Sequence, residues 1–361
     1  MKICVIAARF GLSGVPLAQL KLARALSNLG HEVELIYAYV NSGNKIPTSY
    51  NFKIIDLNKK RVSFIILDLI RIIKNKNFDI IFSAGDHLNA IVLLATIITR
   101  SNVKISCSSR VSPFDTYSNF IFSKGWVFKQ IMKILMLRAN VLTCVSKDMV
   151  SQYLKFFKNS KHICIYNIVK DKYSISKMHE EIDEEWLIDK IYPVIISAGM
   201  LEPWKGYNEL IIGFKKLLEF RKARLVILGE GSMRKNLEDL VTKLKINNYV
   251  KLKGNVENPL KYFSRADVFA LSSHVEGMPN ALIEAMMCGC TPVATNCDTG
   301  PREVLIKGRY GYLVPVKDPE AFCKGLLKAI NNPISKKLLE KAIEPFEESI
   351  VIKEHFKSLG I

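Results

Sequence analysis

Short runs of β-branched and aliphatic residues alternate with amphipathic stretches along this chain, and the alternation stops once and then restarts. KICVIAA (2–8) is continuous and apolar, as a strand buried on both faces should be. In VPLAQLKLARALSNLG (15–30), Val15, Leu17, Leu20, Leu22, Ala25, Leu26 and Leu29 fall at helical spacing and Gly30 fits a C-cap. HEVELIYAY (31–39), DIIFSAG (79–85), VKISCSS (103–109), NVLTCVS (140–146) and KHICIYN (161–167) continue the strand series. DKYSISKMHEEIDEEWLIDKIYP (171–193) breaks it, being polar, acid-rich and aperiodic. The pattern then resumes with PVIISAG (193–199), ARLVILGEG (223–231), YVKLKGN (249–255), DVFALSS (267–273), CTPVAT (290–295) and YGYLVPV (310–316). Such alternation requires parallel sheets covered by helices on both faces. The expected class is α/β, with two doubly wound Rossmann-like domains in series. Their expected bounds are 1–170, a linker at 171–192, and 193–335, with a helical segment 336–361 returning to the N-terminal domain. Open parallel sheets bind ligands outside their strand carboxyl ends, so the two domains are expected to face a central cleft.

Charge separates the halves. Residues 1–170 hold 24 Lys/Arg against 8 Asp/Glu, whereas residues 171–361 hold 28 against 26, so the net +18 belongs mainly to the first half. A polyanion is the expected partner of that half: nucleic acid, an acidic membrane surface or a phosphorylated substrate. A solvated basic face is the plainer reading. FIFSKGWVFKQIMKILMLRANVL (120–142) mixes Lys124, Lys129, Lys133 and Arg138 with large apolar residues at helical spacing. It reads either as a core helix with a basic face or as a helix lying in an anionic bilayer surface, and RVSFIILDLIRIIKNK (61–76) is a second candidate. No apolar run approaches the roughly 18–20 residues that span a membrane. The opening MKICVIAARFG reads as a first strand and not as a secretory leader. The eight cysteines show no C-x-x-C, which points to reduced thiols in a cytosolic protein. No histidine stands at metal-ligand spacing, so no metal is expected. The absence of G-x-G-x-x-G opening the first helix argues against a dinucleotide dehydrogenase.

Four segments of the second half leave a strand and open a loop or helix: GMLEPWKG (199–206), LGEGS (228–232), KGNVENP (253–259) and EGMPN (276–280). Each puts glycine where backbone must approach a ligand closely, and a helix N-terminus such as that after EGMPN attracts anions. Pro279 suits the first helical turn, where its missing N–H costs nothing. Glu276 and Glu284, eight residues apart, flank that helix start. Alone, either has a plainer reading: Glu276 a helix cap, Glu284 a surface residue.

Taken together, these residues resemble glycosyltransferase family 4, the retaining GT-B enzymes that use nucleotide-sugar donors. Glu276 and Glu284 meet its E-x7-E pattern within ADVFALSSHVEGMPNALIEAMMCGCTPVAT. GMLEPWKG resembles its donor-phosphate loop, and LGEGSMRKNLE, TGPREVL (299–305) and YGYLVPVKDPEA (310–321) its later landmarks. SGVPLAQLKLARALSNLGHEV (13–33) carries a looser resemblance in the first half. The fold implied is GT-B. The activity implied is a metal-independent hexosyl or N-acetylhexosaminyl transfer, with retention, from a nucleotide diphosphate sugar, UDP in the first instance. The acceptor implied is a lipid-linked or polysaccharide glycan at the inner face of the cytoplasmic membrane. No cofactor is implied, since the nucleotide sugar is a substrate.

The resemblance also implies roles. Glu284 would accept hydrogen bonds from the ribose. Gly277, Met278, Pro279 and Asn280 would bring backbone against the donor sugar and its diphosphate. Glu276 would hold sugar hydroxyls and act in catalysis. Lys205 would supply positive charge to the leaving diphosphate, and Gly254, Asn255 and Val256 would edge the base. Gly14 would close on the diphosphate, with Ser13 and Asp86 on the acceptor side. Arg110, in SSRVSPFD, stands near the place where the family often has a histidine beside the reacting sugar. Met200 replaces an arginine usual five residues before the loop lysine, with Arg302 as a substitute cation, and Ser13-Gly14 replaces a double glycine. Two other readings stay open: a GT-B epimerase acting on a nucleotide sugar without an acceptor, and a nucleic-acid-binding protein. The second would account for the charge but not for the loops.

Overall fold

A computed structural model describes residues 1–11, 14–40 and 50–361. The chain divides into two compact units, Met1–Ile168 with Glu348–Ile361, and Val169–Glu347. The first holds strands β1 (Lys2–Phe10), β2 (Glu32–Val40), β3 (Lys53–Asp56), β4 (Ile80–Ala84), β5 (Lys104–Ser109), β6 (Val141–Cys144) and β7 (His162–Cys164). They form one sheet in the order β3-β2-β1-β4-β5-β6-β7, with parallel pairing throughout. The second holds β8 (Val194–Ala198), β9 (Arg224–Leu228), β10 (Val250–Gly254), β11 (Val268–Leu271), β12 (Thr291–Thr295) and β13 (Tyr312–Val314). Their order is β10-β9-β8-β11-β12-β13, again parallel. Both sheets are doubly wound, so each has a point where strand order reverses: β1 beside β4 in the first, β8 beside β11 in the second. Loops leaving the carboxyl ends there diverge and open a crevice.

The cores follow the apolar runs. In the first unit Ile3, Val5, Leu22, Leu26, Leu35 and Ile80 pack with Val351 and Ile352 of the C-terminal helix Glu348–Ser358. In the second, Ile195 and Leu225 pack under Leu210 and Phe214 of the helix Tyr207–Leu217 and Phe322 and Leu326 of the helix Pro319–Asn331.

The structure moves three expected boundaries. Residues 171–192 are not a free linker. Asp171 caps the helix Lys172–Lys177 by accepting from Ser174 N at 2.6 Å. Glu184 is buried and pairs with Lys251 at 2.6 Å and Lys253 at 3.3 Å, while Tyr262 donates to Asp183 at 2.7 Å. The acid-rich stretch is thus one half of an ion-pair set whose basic half lies far along the chain. Within the expected segment 336–361, the helix Lys336–Ile343 stays with the second unit, burying Leu339, Ala342 and Ile343. The crossing back to the first unit falls after Glu347, where Lys170 Nζ donates to Glu347 Oε1 at 2.5 Å and Val169 N to Phe346 O at 3.0 Å. Strand β3, a short edge strand with no buried residue, is an element that the apolar runs did not mark.

Candidate active site

In the second unit the loops leaving β8 and β11, neighbours at the reversal point, carry Lys205 and Glu276. Lys205 Nζ donates to Glu276 Oε1 at 2.6 Å, and Ser273 Oγ donates to the same oxygen at 2.6 Å. The Glu276 carbonyl accepts from Thr299 Oγ1. Side-chain exposures of 19% for Lys205 and 11% for Glu276 make a pair withdrawn from bulk water yet reachable by a ligand. Opposite charge in so sheltered a place holds both groups in position more firmly than at an open surface.

The two loops are tied together along their length. His274 N donates to Trp204 O at 2.8 Å, and Ser272 Oγ donates to Lys205 O at 2.8 Å. Gly206 makes the approach possible: its φ is +63°, and a Cβ there would lie 2.1 Å from Ser272 O. Only glycine meets both conditions. The imidazole of His274 lies 3.1 Å, Nε2 to Oε1, from Glu209 in the helix Tyr207–Leu217.

The helix Asn280–Met287 starts without a side-chain cap. Glu276 is therefore not its capping residue; its carboxylate faces Lys205 and Ser273 instead. Pro279, at φ −79° and ψ 80°, lies just before the first helical residue, one position outside the turn where the sequence placed it. Pro279 is buried, while Gly277, Met278 and Asn280 are half-buried. Glu284 is half-buried in the second turn. Gly254 ends β10 at φ +87°, with Asn255 exposed and Val256 half-buried after it. Beside them Arg234 Nη1 donates to Glu230 Oε1 at 2.5 Å and Nη2 to Leu252 O at 2.9 Å. Met200 and Arg302 are both exposed, the latter on the short helix Pro301–Val304.

Ser273, Thr299 and Arg234 are the site neighbours that sequence reasoning missed. All three lie inside quoted motifs; Thr299 reaches Glu276 from another loop, which no spacing betrays, whereas Ser273 stands three residues before Glu276 in the same loop, a spacing that could have marked it.

In the first unit Gly14 opens the helix Gly14–Asn28 at φ +58°, and Ser13 lies outside the described residues. Asp86 opens the helix Asp86–Ile98 and is 4% exposed. Its Oδ1 accepts from Ser109 Oγ at 2.6 Å and its Oδ2 from Tyr153 OH at 2.5 Å. Burial pushes its carboxyl above the usual range, with the Ser109, Tyr153 and Tyr117 hydroxyls opposing that shift. A carboxylate so enclosed holds the fold; it does not stand open to an acceptor as the sequence reading expected. Arg110 follows β5, half-buried, and its Nη1 donates to Asn167 Oδ1. Its Nε is buried with no hydrogen-bond partner among the described residues, and burial lowers its pKa to about 10. The structure thus brings Lys205, Glu276 and the EGMPN loop together in one unit, and places Arg110 and Asp86 near one another in the other.

Residues 178–345 match the family model Glycosyl transferases group 1, and residues 13–172 match Glycosyltransferase Family 4. An uncharacterized glycosyltransferase, MJ1059 of Methanocaldococcus jannaschii, is 28% identical over 73% of this chain and 65% of its own length. The Campylobacter jejuni N-acetylgalactosamine-N,N'-diacetylbacillosaminyl-diphospho-undecaprenol 4-alpha-N-acetylgalactosaminyltransferase is 29% identical over 74% of this chain and 71% of its own. The crystal structure of Anabaena Alr3699/HepE in complex with UDP and glucose superposes with a TM-score of 0.79, at 16% identity, over 100% of this chain and 99% of that one.

Proposed function

This chain belongs to the glycosyltransferases of GT-B fold, and we propose that it moves a sugar, with retention and without a metal ion, from a UDP-sugar to a lipid-linked glycan. The observation that carries the reading is the Lys205–Glu276 pair at the strand-order reversal of the second unit. In that crevice the donor diphosphate takes Lys205, and Glu276 turns to the hydroxyls of the donor sugar. Two anions repel, so the carboxylate belongs with the sugar and not with the phosphates. As the bond from the anomeric carbon to the diphosphate oxygen breaks, that oxygen gains negative charge, which Lys205 and the backbone N–H groups of Gly277 and Met278 stabilise. The acceptor hydroxyl attacks from the same side, and its proton passes to the departing diphosphate oxygen. Glu284 accepts from the ribose, while Gly254, Asn255 and Val256 flank the base. Arg110 remains the proposed acceptor-side group of the first unit.

The acceptor class rests on the printed name of the Campylobacter relative, whose substrate is a diphospho-undecaprenol-linked sugar. A hexose or N-acetylhexosamine donor and a site of action at the inner face of the cytoplasmic membrane complete the proposal. Titration with a panel of nucleotide sugars, followed by product analysis with lipid-linked acceptors, tests it. One UDP-sugar should bind and be consumed with transfer to acceptor, and chelation of divalent ions should leave turnover within about twofold. Lys205→Ala should lower turnover by about 10²–10³, as loss of one well-placed stabilising group does. Interconversion of nucleotide sugars without acceptor would show an epimerase instead.

A further inference from the structure

Three helices of the first unit, Ile66–Asn75, Asp86–Ile98 and Lys124–Leu135, pack side by side, the middle one against β4 and β5. Each has an inner face in the core, but the outer faces are not polar. On Lys124–Leu135, Met132 and Leu135 are buried, while Val127, Ile131 and Ile134 form a second apolar stripe that is exposed. Leu137, in the turn after it, is 86% exposed. On the neighbouring elements Phe64, Leu67, Ile97 and Ile98 are exposed as well. Ahead of the Lys124–Leu135 helix the loop Phe120-Ile121-Phe122 is bare, Phe122 being 84% exposed with its ring 5.7 Å from that of Trp126.

The charges on this layer have one sign. Arg71, Lys74, Arg100, Lys124 and Lys133 are exposed among the apolar residues or at the helix ends. Of the acidic residues on the three helices, Asp68 pairs with Lys59 at 3.0 Å and Asp86 is buried. A second copy of the chain would set like charges against one another with no exposed carboxylate on these helices to offset them. An anionic bilayer surface complements both features, since lysine stems lie along the apolar layer and their ammonium groups reach the headgroups. No helix among the described residues is long and apolar enough to cross a membrane, so the contact would lie on the surface.

We propose that this helical face docks on an anionic lipid bilayer, with the Phe120–Phe122 loop inserted among the acyl chains and Ile131, Ile134 and Leu137 lying along the surface. The Lys124–Leu135 helix runs between the carboxyl end of β5 and the start of β6. The inserting loop therefore lies at the carboxyl end of the sheet, which also carries Arg110, where an acceptor rising from the bilayer would arrive. That last step rests on the transferase reading; the docking itself does not.

The full chain, titrated with phosphatidylcholine vesicles with and without phosphatidylglycerol, tests the proposal beside UDP calorimetry. Binding should require the anionic lipid and weaken with salt. Phe120→Ser/Phe122→Ser and Ile131→Ser/Ile134→Ser should each weaken vesicle binding by about tenfold or more, as loss of two inserted apolar side chains does, and leave UDP affinity unchanged. Undiminished vesicle binding by both variants overturns insertion. Failure of the native chain to bind anionic vesicles while it binds UDP overturns docking and leaves the transferase reading standing. A self-association that the serine variants abolish, without vesicle binding, assigns the face to a second copy and overturns it too. Vesicle binding with no affinity for any nucleotide sugar supports docking and sinks the transferase reading alone.

Discussion

At the residue scale, the Lys205–Glu276 contact sets what removing Glu276 should do. In this structure Glu276 neutralises Lys205, the cation proposed to take the donor diphosphate, so on that proposal free UDP must compete with it. Glu276→Gln should therefore bind UDP as tightly or up to about fivefold more tightly, the ~1 kcal/mol that a partly exposed ion pair is worth. Turnover should nevertheless fall by about 10²–10³, because the contact that positions the sugar is gone. Glu284→Ala should do the reverse, weakening donor and UDP binding with little loss at saturation, since the ribose contact proposed for it would be made equally in ground and transition states. Calorimetry with UDP beside turnover of each variant checks both, and near-normal turnover in folded Glu276→Gln would remove Glu276 from the chemistry. The placement of the two glutamates and Lys205 around one helix start was legible in the sequence because a helix start, two carboxylates and a lysine beside a glycine form an ordered set. The contact between Lys205 and Glu276 was not, because it joins loops 71 residues apart in the chain; Ser273, only three residues before Glu276 in the same loop, had a local spacing that could have marked it.

At the element scale, the helix Glu348–Ser358 carries a buried titratable group with a sign that can be worked out. His355 packs against Phe82 of β4, ring centroids 5.2 Å apart, and its Nδ1 has no hydrogen-bond partner among the described residues. Burial, and after it the charge of Arg110, lower its pKa to about 3. Above about pH 6.5 the imidazole is neutral in both folded and unfolded chains, and its contribution is fully present. As pH falls below that, the unfolded chain takes up a proton that the folded one refuses, so stability is lost. At pH 5 the loss from this group is about 2 kcal/mol. His162, lowered to about 4 by burial, adds a loss of the same sign. Thermal melting at pH 7 and pH 5 should show a smaller drop for His355→Gln than for the native chain; an equal drop would place the acid sensitivity elsewhere. The strands around this helix were legible because buried parallel strands are continuous apolar runs. The edge strand β3 and the helices within 171–192 were not, since their partners are sheet edges and distant lysines that no local pattern reveals.

At the scale of the whole molecule, two sheets could be read from a pattern that runs, breaks and restarts, and so could the return of the C-terminal segment to the first unit, but not the points at which the chain crosses between the units. The acid-rich break looks like a boundary because its charges have no local partner, yet Glu184 is buried against Lys251 and Lys253 in the second unit. The true crossings lie after Ile168 and after Glu347, and the last 14 residues complete the first unit. Val351, Ile352 and Leu359 fill the same core as Ile3, Val5 and Leu26, which stand at the other end of the sequence. The consequence can be tested by a substitution in the tail. Ile352→Ala leaves a cavity in the first unit's core and should cost about 2–5 kcal/mol of first-unit stability. If each unit opens as its own cooperative body, hydrogen exchange should speed up at the amides of β1, β2 and β4. Those of β8, β9 and β11 should keep native protection, and UDP affinity should hold, since Lys205, Glu276 and Glu284 all belong to the other core. Exchange that quickens equally in both sheets would mean that the two units unfold as one, and unchanged exchange in β1 and β4 would mean that the tail does not close the first core.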